Sequence, residues 1–269
     1  MQVDYLFLIP TTPNEILDDQ RKALQELCFR QILKLKSSAK VWLLGETHFG
    51  NDFFETISIS GSKEDKLFRA GQKLEALDEY PARYLVRLDD DDLINPSVFD
   101  SLAKLNFDIA YDAFHWFYDL SSGMSSSQKR PWVPNTAIHK IDNALKPVQK
   151  LGGSHLASER NYLIACDHSQ AWHLFYQGRK IKLTDRNTPL YLRVLNNSSR
   201  TARQSAGGES KNEYFRYLKT FGSWDKEFPL DSSLLKSLLE VGQKEGRQLE
   251  EWNFPKDSFF ERLKRKIIG

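Results

Sequence analysis

The sequence predicts an α/β fold: a mixed, mostly parallel central sheet flanked by helices. Three observations carry this. Short apolar runs, "VDYLFLIP", "AKVWLLGE" and "RYLVRL", read as strands buried on both faces. Stretches of helical period separate them, at 14–35 and 63–78. Strand and helix alternate throughout the first hundred residues, as parallel strands joined by helical crossovers require.

The first strand ends at Pro10. The helix after it carries Leu17, Leu24, Leu27, Cys28, Gln31 and Leu35 on one face, with acids near its start. "AKVWLLGE" is closed by a glycine, and "KEDKLFRAGQKLEALD" reads as a second amphipathic helix. "RYLVRL" is the third strand, followed at once by four aspartates. "FDIAYDAFHWFYDL" supplies one or two further strands, aromatic enough for a mixed sheet edge. "RPWVPNTAIHKIDNAL" reads as a stiff loop before an amphipathic segment. "CDHSQAWHLFYQG" reads as a helix closed by Gly178, and "KIKL" and "PLYLRV" as short strands.

The 269 residues suffice for one large domain, or a domain plus an appendage. A net charge of +2 gives no reason to expect a nucleic-acid partner. Cys28 and Cys166 lie in apolar contexts and read as two buried thiols, with no disulfide framework. "MQVDYLFLIP" has an acid at position 4 and no secretory pattern, and no apolar run approaches a membrane span. The expectation is a cytoplasmic protein.

Asp89 to Asp92 pose a physical problem: four like charges follow an apolar strand directly. In open α/β sheets ligands bind beyond the carboxyl ends of the strands, so these acids have the address of a site. Alternate residues at a strand end point the same way, so Asp89 and Asp91 are expected to converge. Converging carboxylates need a cation or a proton. Mg²⁺ or Mn²⁺ held by Asp89, Asp91 and Asp92 would relieve the repulsion and leave positions for phosphate oxygens. The competing reading is an acidic surface turn. His168 and His173 are five apart, not the i, i+4 spacing of a helical zinc pair, so no zinc site is expected. Asp167 has a competing reading as a helix N-cap.

The ordered set "FLIPTT", "KVWLLGE", "RLDDDD", Asp167-His168 with Trp172, then Gly178, "RKI" and "PLYLRV" resembles the GT-A glycosyltransferases, in particular the large inverting family 2. The likeness runs from about residue 3 to 200, and "RLDDDDLINP" also looks like a rhamnosyltransferase-type branch. The resemblance implies hexosyl transfer from a nucleoside diphosphate sugar to a glycan or lipid-linked acceptor. It implies a metal at Asp89, Asp91 and Asp92, and a donor pocket of Pro10, Thr11, Thr12, Glu46, Arg69 and Asp90, with Lys66 a further candidate. Lys66 and Arg69 have a competing reading as solvated helix charges. The general base falls on Asp167 or His168, because the family's second acid is a histidine here. Trp132, Asn135 and Trp172 fall on the acceptor side. The expected division is a catalytic domain over 1–200, then a loop and C-terminal helical extension over 201–269. The basic end "DSFFERLKRKIIG" is read as peripheral contact with the inner membrane face or as a helix docked on its own domain. Two alternatives stand beside this reading. A nucleotidyltransferase would need a glycine-rich loop after the first strand, which "PTTPNE" does not supply; a non-catalytic protein would bind a glycan or nucleotide sugar.

Overall fold

A computed structural model describes residues 2–120, 124–129, 132–149, 160–166, 168–195, 224–225 and 232–243. Its mixed α/β architecture is the class the sequence predicts. Among the described residues, β1 (Val3–Pro10), β2 (Ala39–Leu44), β3 (Phe54–Ile57) and β4 (Ala82–Arg87) run parallel in the order β3-β2-β1-β4. Beyond β4 come β9 (Ile138–Lys140, antiparallel), β6 (Ile109–Asp112) and β12 (Ile181–Thr184), completing seven strands. A second sheet has the order β14-β8-β7-β13-β5, from Trp224–Asp225, Met124–Lys129, Phe114–Asp119, Tyr191–Leu195 and Leu93–Ile94. β10 (Pro147–Gln149) and β11 (Arg160–Tyr162) form a small antiparallel pair.

Alternation along β1 divides the core. Tyr5, Phe7 and Ile9 pack with α1 (Asp19–Leu33) through Leu24, Leu27 and Cys28, and with α3 (Pro96–Leu102) through Phe99. Leu6 and Leu8 pack on the other face with α2 (Lys63–Glu75) through Leu67, Ala70 and Leu74, and with α4 (Ile141–Ala144). Leu163–Ala165, a single 3₁₀ turn, joins that second core, as does Trp172. The segment read as one helix after Asp167 is a π-type turn, His168–Trp172, running into the short α5 (His173–Phe175); Gly178 closes it with φ +72°. α6 (Ser232–Gln243) adds Leu234, Leu238 and Val241 to the α1-side core. Both cysteines are buried and unbridged. No helix among the described residues is long and apolar enough to cross a membrane.

The topology marks one place. The chain runs from β1 outward to β2 and β3, then returns to lay β4 on the other side of β1. The crossovers therefore diverge between β1 and β4, and the carboxyl ends of those strands flank a crevice. Asp89–Asp92 follow β4 there and lead into β5 of the second sheet.

Candidate functional site

The aspartates do not continue β4. The strand stops at Arg87, and the Asp92 N–H donates to the Asp89 carbonyl at 3.2 Å, so the four residues form a turn. Period-two alternation no longer applies, and the expected convergence of Asp89 and Asp91 is corrected accordingly. Asp89 turns toward α2: Lys63 Nζ donates to Oδ1, and Asn135 Nδ2 donates to Oδ2 at 3.0 Å. Asp90 and Asp91 turn toward α1, where Arg21 spans both carboxylates. Asp90 also accepts from Gln25 Nε2 at 2.8 Å and from the Thr12 N–H at 2.9 Å, tying the end of β1 to the turn. Asp92 is buried and accepts from the Val194 N–H of β13 at 3.3 Å.

Two cations here break the usual helix rule. Arg21 lies in the first turn of α1 and Lys63 opens α2, where the helix dipole disfavours positive charge. Each is compensated by an aspartate of the turn. Asn135 is the bridge: its Oδ1 accepts from Lys63 Nζ at 3.1 Å and from Arg87 Nη2 at 2.6 Å. Arg87 Nη1 donates to the carbonyls of Ile164 at 3.0 Å and Cys166 at 2.9 Å, and its guanidinium lies 4.3 Å from the ring centre of Trp172. One buried arginine thus fastens the 164–166 segment to the end of β4. His168 follows, half-buried, with Nδ1 2.8 Å from the Val133 carbonyl. A proton on Nδ1 donates to that carbonyl, which leaves the basic lone pair of a neutral ring on Nε2.

The electrostatics follow from burial and these pairings. Burial alone would raise Asp89, but the charge and hydrogen bond of Lys63, with Arg87 and Arg193, outweigh it and hold the carboxyl well below its ordinary range. Burial and the charge of Asp89 push Asp92 up to about 7, against the pull of Arg193, Lys63 and the Val194 N–H. Burial, then Arg87, lowers His139 to about 3, so this core histidine beneath Trp172 stays neutral.

The donor-pocket residues separate. Pro10, Thr11 and Thr12 stand at the end of β1, in the crevice. Lys66, one candidate for a solvated helix charge, is buried; its Nζ donates to the Thr11 carbonyl at 2.8 Å. Arg69 and Glu46 are exposed, and among the described residues neither forms an ion pair with the turn. Asn135, expected on the acceptor side, lies among Asp89, Lys63 and Arg87 instead. Trp172 is fully buried under Arg87, with its indole N–H given to the Leu163 carbonyl at 2.6 Å; the acceptor role expected for it is corrected to a core role. Trp132 is half-buried beside His115. Asp167 and the basic C-terminal segment lie outside the described residues.

The arrangement does not present Asp89, Asp91 and Asp92 as one ligand set. They address α2, α1 and β13 respectively, and among the described residues no three His, Cys, Asp or Glu side chains gather to hold a metal ion. Sequence reading missed Arg21, Lys63, Arg87 and Gln25. Lys63 and Lys66 continue the helical stripe of Leu67, Ala70 and Leu74, which was a usable signal.

No family model and no curated protein matches the chain. Among solved structures, residues 1–349 of TarS from S. aureus share 10% identity, with 90% of this chain and 72% of that chain covered at a TM-score of 0.41. A 4-diphosphocytidyl-2C-methyl-D-erythritol synthase from Anaerococcus prevotii shares 14% identity, covering 80% and 99% at 0.40. The glycosyltransferase GlyE of Streptococcus pneumoniae shares 11%, covering 94% and 67% at 0.37. These are likenesses of broad α/β architecture, and they lend no support to the rhamnosyltransferase-type branch.

Proposed function

We propose that the chain is a transferase that moves a hexosyl group from a nucleoside diphosphate sugar to an acceptor hydroxyl, with inversion. The observation that supports this best is the charged turn after β4, placed where the crossovers diverge beside the end of β1. The nucleoside would lie over Pro10–Thr12, with the diphosphate toward Lys63. His168 follows a segment that Arg87 fastens to the end of β4, and its Nδ1 bonds the Val133 carbonyl.

In the reaction, the acceptor oxygen bonds to the anomeric carbon as the bond from that carbon to the β-phosphate oxygen breaks. The electron pair leaves with the nucleoside diphosphate. The acceptor's proton passes to Nε2 of His168. The acceptor side falls to Trp132, whose ring can stack on a sugar face.

The test is release of nucleoside diphosphate from UDP-, dTDP- and GDP-hexoses, read by chromatography on the full chain. One donor should be hydrolysed slowly without acceptor. His168→Gln should cut the rate by roughly 10²–10⁴, the usual worth of a general base. No release from any donor, or release that survives both His168→Gln and Asp89→Asn, would refute the reading.

A further inference from the structure

The strand-end crevice carries its own cations. Arg21, Lys63, Arg87 and Arg193 stand against Asp89, Asp90, Asp91 and Asp92, four charges against four. Lys66 makes a fifth cation: it is 8% exposed, donates to the Thr11 carbonyl, and has no carboxylate within ion-pair distance among the described residues. Among the described residues the buried and half-buried charge of this edge is therefore net positive, although the sequence there looks acidic. Lys63 lies at this edge with 27% of its side chain exposed. An ammonium has three N–H donors. Two go to Asp89 and Asn135, which fix its position, and among the described residues no acceptor takes the third, which can meet a ligand.

We propose that Lys63, backed by Lys66, meets the donor's diphosphate directly, and that donor binding needs no divalent cation. This rests on the nucleotide-sugar reading above. The physical reason is charge balance. A divalent ion is stabilised by uncompensated carboxylates, and these carboxylates are already compensated from within the chain. A diphosphate, in contrast, gains from an edge with a cation to spare and a held ammonium.

The test is calorimetric titration of the full chain with UDP, dTDP, GDP and CDP, after removal of metals and again with Mn²⁺. One nucleotide should bind in EDTA with a Kd within about threefold of its value in Mn²⁺. Lys63→Ala should weaken that binding at least about tenfold in EDTA. It should recover part of the loss when Mn²⁺ is added, because Asp89 is then uncompensated. Lys63→Arg should keep most of the affinity. Lys63→Gln, which keeps a donor to Asp89 but loses the charge, should follow Lys63→Ala and covers the case in which the alanine variant misfolds. Binding by the wild type only in Mn²⁺, or unchanged binding by Lys63→Gln in EDTA, would overturn the proposal while leaving a nucleotide site in place. Binding of none of the four nucleotides under either condition would remove the nucleotide reading and this proposal with it.

Discussion

Replacing Arg87 with methionine tests the link between β4 and the segment that carries His168. Methionine fills similar space against Trp172 and removes the guanidinium. The carbonyls of Ile164 and Cys166 then lose the hydrogen bonds from Nη1. Each lost bond to a buried acceptor costs up to about 1–3 kcal/mol, so the pair costs at most roughly 2–6 kcal/mol. Asn135 Oδ1 keeps its bond from Lys63 and adds little. Relief of a buried charge and the contact of the thioether with the indole offset part of the loss. The net expectation is about 3 kcal/mol, a large share of the 5–15 kcal/mol that holds a typical domain. Urea unfolding followed by circular dichroism should show the midpoint falling by roughly 1–2 M. Arg87→Lys should lose about half as much, because one ammonium cannot span both carbonyls and Asn135. A stability within about 0.5 kcal/mol of wild type for Arg87→Met would refute the argument that this arginine is the fastening.

Gly71 faces the ring of Tyr162, and a Cβ there would lie 2.4 Å from Cδ2 and 2.9 Å from Cγ. Gly71→Ala should therefore destabilise by about 1–2 kcal/mol despite a helix-propensity gain of about 1 kcal/mol; a more stable variant in urea melts would contradict the packing of α2 on Tyr162. Asp112 is buried, and burial lifts its carboxyl to about 7 against the donors Leu190 N–H, Thr184 and Tyr191 N–H. Its folded value lies above the unfolded value of about 3.9, so the native state binds the extra proton between the two and stability falls as pH rises through that window. Asp112→Asn should make the fall of the melting temperature between about pH 4 and 7 shallower, leaving the opposed contributions of Asp92 and His139; an unchanged slope would contradict the assignment.

The parts of the fold that announce themselves in sequence are those with unbroken local signals. β1, β2 and β4 are continuous apolar runs, and α2 opens with a capping box, Ser62 with Asp65. β3 is four residues long and only Phe54 is buried, so "FETI" offers neither a run nor a clean alternation. The site is less legible because its charges are compensated across long sequence separations. Asp90 is answered by Arg21 and Gln25 from α1, and Asp92 by a backbone N–H of β13. Four aspartates read in isolation call for a metal. In the fold the same four stand beside Arg21, Lys63, Arg87 and Arg193. Trp172 was misassigned for a similar reason: its burial depends on Arg87 and His139.

The central claim is that a nucleotide binds over the ends of β1 and β4, with its diphosphate at Lys63. A crystal structure of the full chain with the nucleoside diphosphate that binds in calorimetry tests it most directly. The account predicts a phosphate oxygen about 3 Å from Lys63 Nζ, with the nucleoside against Pro10–Thr12. A nucleotide bound away from that crevice, with Lys63 still engaged only by Asp89 and Asn135, would contradict it.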